Sequence, residues 1–276
     1  MTGSMLTANS MFPDDLIFVR PDQREPGPVT RGQVREKAFV NDDIWVGYCD
    51  ITARDEPGQW HHHANYDSIM YLMSGRCRIE WGDGGKQAIM SAGDFGFFGK
   101  GVVHRVQIID DGRCDYVFVR LGEGESVVAV DQPGPRVRSG PGPDMFPDDL
   151  IFVRPDQREP GPVTRGQLRE KAFVNDHIWV GYCDVTARDE PGQWHHHANY
   201  DSIMYLTSGR CRIEWGDSGK SAIMSAGDFG FFGKGVIHRV QVIDDGRCDY
   251  VFVRLGQGES VVPVAGPGKR LRTGTA

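Results

Sequence analysis

The sequence predicts an all-β chain built as two tandem copies of one barrel or jelly-roll domain, and three observations predict it. The segment MFPDDLIFVRPDQREPGPVTRGQ begins at Met11 and again at Met145, 134 residues later. Across 11–130 and 145–264 the copies differ at ten positions: Val34/Leu168, Asp43/His177, Ile51/Val185, Met73/Thr207, Gly84/Ser218, Gln87/Ser221, Val103/Ile237, Ile108/Val242, Glu123/Gln257 and Ala129/Pro263. Within each copy, short runs rich in β-branched and aromatic residues alternate with Gly and Asp turns. Many short strands in a domain of this size favour closed architectures, which leave little exposed edge.

A repeat this long matches a complete globular domain and not a solenoid unit. The domains are therefore expected at 11–130 and 145–264, joined by a Gly/Pro-rich linker at 131–144. Even the connector repeats, since GPRVRSG (134–140) is echoed by GKRLRTG (268–274). In the first copy RGQVREKAF (31–39) is the one stretch that reads as a helical turn. Strands are expected in DIWVGYCDITA (43–53), SIMYLMSG (68–75), RCRIEWG (76–82), FGFFG (95–99), VVHRVQII (102–109) and CDYVFVRLG (114–122). The turns between them include GDGG (82–85) and DDG (110–112).

The most informative run is GQWHHHANYDS, at Gly58–Ser68 and unchanged at Gly192–Ser202. Side chains alternate along a strand, so His61 and His63 point one way and His62 the other. His104, closing GDFGFFGKGVVH, and His238, closing GDFGFFGKGVIH, supply each copy with a distant third imidazole. An affinity tag would sit at a terminus; this triplet sits mid-chain, twice. Clustered histidines with a matching distant partner suit transition-metal ligation.

The remaining features bound the function. A formal net charge of −7 argues against nucleic acid or an anionic membrane surface as partner. No apolar stretch reaches the ~20 residues needed to span a bilayer, and Met1–Ser10 lacks the apolar core of a signal peptide, so a cytoplasmic protein is expected. The six cysteines are three positions seen twice, Cys49, Cys77, Cys114 and Cys183, Cys211, Cys248, each in an apolar run where a thiol packs as a small hydrophobe. Tyr116, Phe118 and Arg120 alternate on one strand face, opposite Val117, Val119 and Leu121. That face reads as the barrel's exterior, with Arg120 solvated; the alternative is an aromatic wall and an anion-binding guanidinium inside. Trp60 reads as packing, and Arg78 with Glu80 as solvated charges.

Gly58, His61-x-His63 and Gly75, followed by Gly93-x5-Gly99-x-Gly101-x2-His104, resemble the two sequence motifs of the cupin superfamily, G-x5-H-x-H-x3,4-E-x6-G and G-x5-P-x-G-x2-H-x3-N. Both copies carry them, so the chain resembles a bicupin, two tandem cupin-type jelly-roll (double-stranded β-helix) barrels. The chain departs from the pattern in three places. Gly58 stands three residues before His61 instead of six. Gly99 and Ile108 replace the usual Pro and Asn. Where the family carries a metal-binding Glu, one register offers Ser68 and the other Asp67 (Ser202 or Asp201 in the second copy). Strand parity puts Ser68, Met70 and Leu72 on one face and Asp67, Ile69 and Tyr71 on the other, although a bulge would bring Asp67 inward.

The expected metal sets are His61, His63, His104 and His195, His197, His238, with Asp67 and Asp201 as additional candidates. Three neutral imidazoles leave a divalent charge uncompensated and favour an anionic or chelating substrate. Imidazole suits Fe, Zn, Cu and Ni alike. The resemblance implies a metal-dependent enzyme, first a non-haem Fe(II) dioxygenase acting on a small aromatic or diketone-like substrate, with Mn, Ni, Zn or Cu as alternative metals. A redox-neutral isomerase, lyase or decarboxylase, and a non-catalytic small-molecule-binding cupin, are the other readings. Two near-identical domains on a short linker are expected to pack as an intramolecular pseudo-dimer, with further homo-oligomerisation open.

Overall fold

The computed structural model describes residues 10–138 and 144–271. The sequence readings that fall on 1–9, on 139–143 of the linker and on 272–274 of the second tail lie outside the described residues. Among the described residues the chain is almost wholly β, with single 3-10 turns at Pro21–Gln23 and Pro155–Gln157. No helix among them is long and apolar enough to cross a membrane.

The strands are β1 (Leu16–Val19), β2 (Glu25–Pro26), β3 (Gln33–Val40), β4 (Ile44–Ile51), β5 (His61–His62), β6 (Asp67–Ser74), β7 (Arg76–Trp81), β8 (Lys86–Ser91), β9 (Phe95–Phe98), β10 (His104–Ile108), β11 (Cys114–Leu121) and β12 (Val128–Ala129). The second repeat follows with β13 (Leu150–Val153), β14 (Glu159–Pro160), β15 (Gln167–Val174), β16 (Ile178–Val185), β17 (His195–His196), β18 (Asn199–Ser208), β19 (Arg210–Trp215), β20 (Lys220–Ser225), β21 (Phe229–Phe232), β22 (His238–Val242), β23 (Asp249–Gln257) and β24 (Val262–Pro263). The stretch 31–39 is not a helical turn but the strand β3. Pairing with β4 along its whole length, through a bulge between Lys37 and Phe39, overrides the helix propensity of its Arg, Glu, Lys and Ala residues.

Two compact units result, each a two-sheet jelly roll. The first spans Gln23–Asp156, and the second takes residues 10–22 together with 157–271. In the first unit a seven-stranded sheet runs β13-β9-β6-β11-β4-β3-β2 and a five-stranded sheet β12-β5-β10-β7-β8. The second unit repeats this order as β1-β21-β18-β23-β16-β15-β14 and β20-β19-β22-β17-β24. The repeats read along the sequence and the compact units therefore differ at their starts. Leu150–Val153 pairs antiparallel with Phe95–Phe98 to complete the first barrel, and Leu16–Val19 pairs with Phe229–Phe232 to complete the second.

The core of the first unit lies between its sheets. Cys49, Met70, Leu72 and Phe118 from one sheet meet Cys77, Ile79, Met90 and Val106 from the other. Phe152 of the added strand packs edge-on to Phe98, with ring centroids 6.2 Å apart. All six cysteines are free and buried, as the sequence suggested.

Gly47 in β4 shows how tight the packing is. A Cβ there would lie 2.0 Å from the Glu36 carbonyl oxygen and 2.9 Å from the Phe118 ring. Gly47→Ala must push a backbone strand aside, the kind of overpacking that costs about 1–3 kcal/mol or more. Its melting temperature is expected several degrees below that of wild type in a thermal scan; an unchanged melt would show that this strand pair has slack.

Candidate metal centre

Strand pairing builds the histidine cluster. His104 at the start of β10 stands directly opposite His61 in β5, and directly opposed side chains of an antiparallel pair are close neighbours. The His61 and His104 rings lie 4.4 Å apart between centroids. His63 follows on the same face, and the chain then turns at once: Tyr66 N–H donates to the His63 carbonyl at 2.7 Å, with Ala64 at a φ of 39°. The glycine-rich approach to His104 is equally constrained. Gly101 has a φ of 66°, and a Cβ on it would lie 1.8 Å from the Val137 carbonyl oxygen.

His61, His63 and His104 each present one ring nitrogen so that the three lie within 4.8 Å of one another, and His195, His197 and His238 do the same. In the first unit Nδ1 of each ring meets a backbone carbonyl, Gln59 O at 2.9 Å for His61, Ser126 O at 2.8 Å for His63 and Val102 O at 2.8 Å for His104. A carbonyl only accepts, so Nδ1 carries the proton and Nε2 keeps its lone pair, the tautomer a metal ligand requires. Burial pushes all three imidazoles far toward the neutral form, assisted by neighbouring histidines and arginines and opposed in His61 and His104 by those carbonyls. His104 falls to about 3, and His61 and His63 lie well below the ordinary histidine range. These features fit a divalent transition metal.

The second unit keeps two of these anchors, His195 Nδ1 to Gln193 O and His238 Nδ1 to Val236 O, both at 2.9 Å. Its third ring is turned: His197 Nδ1 meets Ser202 Oγ at 2.6 Å. The angle between the first two rings accordingly changes from 66° in the first unit to 23° in the second.

Asp67 is not brought to the histidines. Its carboxylate accepts the Lys100 backbone N–H at 3.1 Å and lies 3.7 Å from the Lys100 ammonium, while Ser68 and Met70 line the cavity beside the rings. Burial raises the Asp67 carboxyl to about 6 despite Lys100. Asp201 likewise accepts from the Lys234 and Met11 backbone N–H groups and from the Ser10 hydroxyl. Among the described residues, the metal-type clusters consist of the three histidines alone. His62 faces away, its Nδ1 accepting the Ala64 N–H at 3.1 Å.

Two histidines of each cluster, His63 and His104 in the first unit and His197 and His238 in the second, line a cavity of about 20 Å³, room for roughly one water. Met70, Ile79, Phe98, Val106 and Phe118 make its wall apolar in the first unit. Arg120 lies in the wall and not in solvent, which corrects the exterior reading of its strand face. It is 1% exposed, stacks over Trp45 and Phe118 at 5.0 and 4.4 Å, and donates to the Ser126 carbonyl at 3.1 Å.

A second buried guanidinium escaped the sequence reading altogether. Arg35, also 1% exposed, approaches His61 Nε2 to 3.3 Å, and Arg120 approaches His63 Nε2 to 3.5 Å. Alternation in β3 could not have found Arg35, because there Gln33 and Arg35 are buried and Val34 is exposed. Trp60 packs against Arg105, 4.6 Å away, and Arg105 pairs with Glu80, so Glu80 is an ion-pair partner on the outer side.

A family model described as the cupin domain matches residues 49–120 and 183–254. A search of curated proteins finds no match. Among solved structures, Bacillus subtilis oxalate decarboxylase, described for its Mn(II) centres, superposes with a TM-score of 0.64 at 16% identity over 90% of this chain and 79% of that one. A study of substrate binding and a reaction-specificity switch in oxalate decarboxylase gives 0.65 at 16% identity with the same coverage. An arginine-to-alanine variant of the Bacillus enzyme gives 0.66 at 15% identity, again with the same coverage.

Proposed function

The chain belongs to the cupin domain family, with one such domain in each unit, and from that premise we propose that each unit is a metal-dependent enzyme site for a small, anionic, chelating substrate. The observation that carries the reading is the convergence of three neutral imidazoles in each unit beside a largely apolar cavity, with Nδ1 of all three rings tied to carbonyls in the first unit and of His195 and His238 in the second. His61, His63 and His104 would hold the ion in the first unit, and His195, His197 and His238 in the second. When bound, the ion supplies Lewis-acid polarisation and, as Fe(II) or Mn(II), redox chemistry with dioxygen.

The protein's own part is positional. The carbonyl anchors fix the three rings, and the walls of Met70, Ile79, Phe98 and Phe118 keep bulk water from a charged substrate, which strengthens every electrostatic contact inside. Tyr116, its phenol pushed up by burial, stays protonated and is held by Gln33 Nε2 at 3.0 Å.

Oxygen-dependent cleavage of an enolisable or aromatic substrate is the first reading. Redox-neutral decarboxylation is the second, and the fold likeness to oxalate decarboxylases favours it. The test is a screen of the Fe(II)- and Mn(II)-loaded chain against small phenols, diketones and oxo- or dicarboxylates, recording oxygen uptake and CO₂ release together. Stoichiometric oxygen uptake supports the first reading, and CO₂ release without net oxygen uptake the second. A metal-loaded chain that turns over no compound of any class argues for a binding protein instead.

A further inference from the structure

We propose that Asp43 and Glu123 on the first unit, and His177 and Gln257 at the same two places on the second, set how readily a small anion is held at each histidine cluster, so that the second unit takes an anionic substrate more readily than the first. The proposal rests on the anionic-substrate reading above and deepens it by assigning the residues that set a preference between the two sites.

The argument begins with the ten positions at which the repeats differ. Eight of them exchange uncharged side chains, and only Asp43/His177 and Glu123/Gln257 change charge. These two positions are 80 residues apart in sequence, and the fold brings them together. Gly122 N–H donates to the Asp43 carbonyl at 3.0 Å, and Gly256 N–H to the His177 carbonyl at 3.0 Å, where β4 meets β11 and β16 meets β23. In the second unit the side chains themselves join, Gln257 Nε2 donating to His177 Nδ1 at 3.2 Å. The ladder there runs on to Tyr200 opposite Gly256 and Asn199 opposite Gln257, whereas in the first unit it stops at Asp67 opposite Leu121. A pair of like charges on facing strand ends has thus become a hydrogen-bonded amide and imidazole.

This rim stands one layer of side chains away from the inner cavity. His177 and Gln257 line an open basin of about 570 Å³ together with Trp179, Tyr200 and Ser260. Behind the basin Arg254 stacks on Trp179 at 5.0 Å, donates to the Ser260 carbonyl at 3.1 Å, and lines the cavity beside His197 and His238. Tyr200 N–H donates to the His197 carbonyl at 2.7 Å. The first unit repeats these contacts through Trp45, Arg120, Ser126 and Tyr66. The two rims differ in charge. Burial raises the Tyr66 phenol, Arg120 lowers it, and the carboxylates of Glu123, Asp42 and Asp43 raise it further; burial and Arg254 act on Tyr200 in the same way, but the carboxylate that reaches it is Asp176 alone. An anion held at the first cluster therefore feels two negative charges that one at the second does not. Two charges on a partly solvated rim shift an anion's affinity on the order of threefold to tenfold, and salt screens the effect.

The test isolates each site within the full chain, His238→Ala leaving the first cluster intact and His104→Ala the second. Both chains are loaded with Co(II), whose visible spectrum reports a change of ligand, and titrated with azide at low salt. The expected result is azide bound about fivefold more tightly by the second-site chain, with the difference falling below about twofold in about 0.5 M salt. Exchanging the rims should exchange the affinities. Asp43→His/Glu123→Gln raises the first site to the level of the second, and His177→Asp/Gln257→Glu lowers the second to the level of the first. His177→Asn breaks the bond to Gln257 without adding charge and should leave azide affinity within about twofold of its parent. A purely structural role for the pair predicts the opposite pattern, a lowered melting temperature in His177→Asn and equal azide affinities in every rim variant. Parent chains of equal affinity, or affinities that do not move when the rims are exchanged, overturn the proposal. Cobalt-loaded chains that bind no azide at either site overturn the anionic-substrate reading beneath it, and chains that take up no cobalt overturn the metal reading, so the failures are distinguishable.

Discussion

His104→Ala is expected to empty the first site and halve the metal content of the chain, and His104→Ala/His238→Ala to reduce it below about a tenth of wild type. The neighbour of these residues makes the control, since His62→Ala/His196→Ala should leave the content near wild type. The contrast follows from placement. His104 lies opposite His61 in the ladder and contributes one of three converging nitrogens, whereas His62 faces away and accepts a backbone N–H. Losing a group that only orients a ligand costs about 10- to 100-fold in affinity, and losing one of three ligands must cost more. Asp67→Asn should retain the metal, because its carboxylate serves the Lys100 backbone and ammonium and not the cluster. Elemental analysis after reconstitution and desalting reads all of these. If Asp67→Asn lost metal as completely as His104→Ala does, the three-histidine set would be wrong.

The histidine cluster was legible because it depends on two short-range rules, strand alternation and pairing across a ladder. His61-x-His63 fixes a face, and the repeated glycine-rich run ending at His104 marks a second strand bound for the same sheet. The arginines were not legible, and the reason is physical. A guanidinium is costly to bury, so the default for Arg35 or Arg120 is solvent. Alternation corrects that default only where one face of a strand is exposed. β11 is buried along its whole length, so Val117 and Val119 gave no information about where Tyr116, Phe118 and Arg120 point. In β3 the pattern is inverted, with Val34 44% exposed and Arg35 inside, and apolar residues then indicate the wrong face. The exchange of β1 and β13 was hidden for another reason. Both repeats carry the same LIFV and the same FGFF, and identical strands pair equally well within or between repeats as far as sequence can tell.

Acidification of the chelator-treated protein from pH 7 to pH 5 is expected to lower its stability steeply, and the sign comes from the histidines. An imidazole whose folded pKa is depressed contributes stability that is fully present above its ordinary value near 6.5 and is lost as pH falls toward the folded value. Burial takes His104 and His238 to about 3 and leaves His61, His63, His195 and His197 well below the ordinary range. Near pH 5, unfolding therefore takes up protons at these six rings, each worth up to about 1.4 kcal/mol per pH unit. Asp67 acts in the opposite direction. With its carboxyl raised to about 6, its contribution is full below about 4 and is lost as pH rises through 6. Burial also raises the Asp184 carboxyl and lowers His62 and His196, so two carboxyls against eight imidazoles leave the net slope toward greater stability at higher pH. Urea unfolding at half-unit steps from pH 7.5 to 4.5 measures that slope, and a midpoint that stayed level or rose on acidification would mean that the rings are not held neutral. Loading with Zn(II) should raise the whole curve nearly in parallel, because rings already neutral in the folded protein release no protons when they bind the metal in this range.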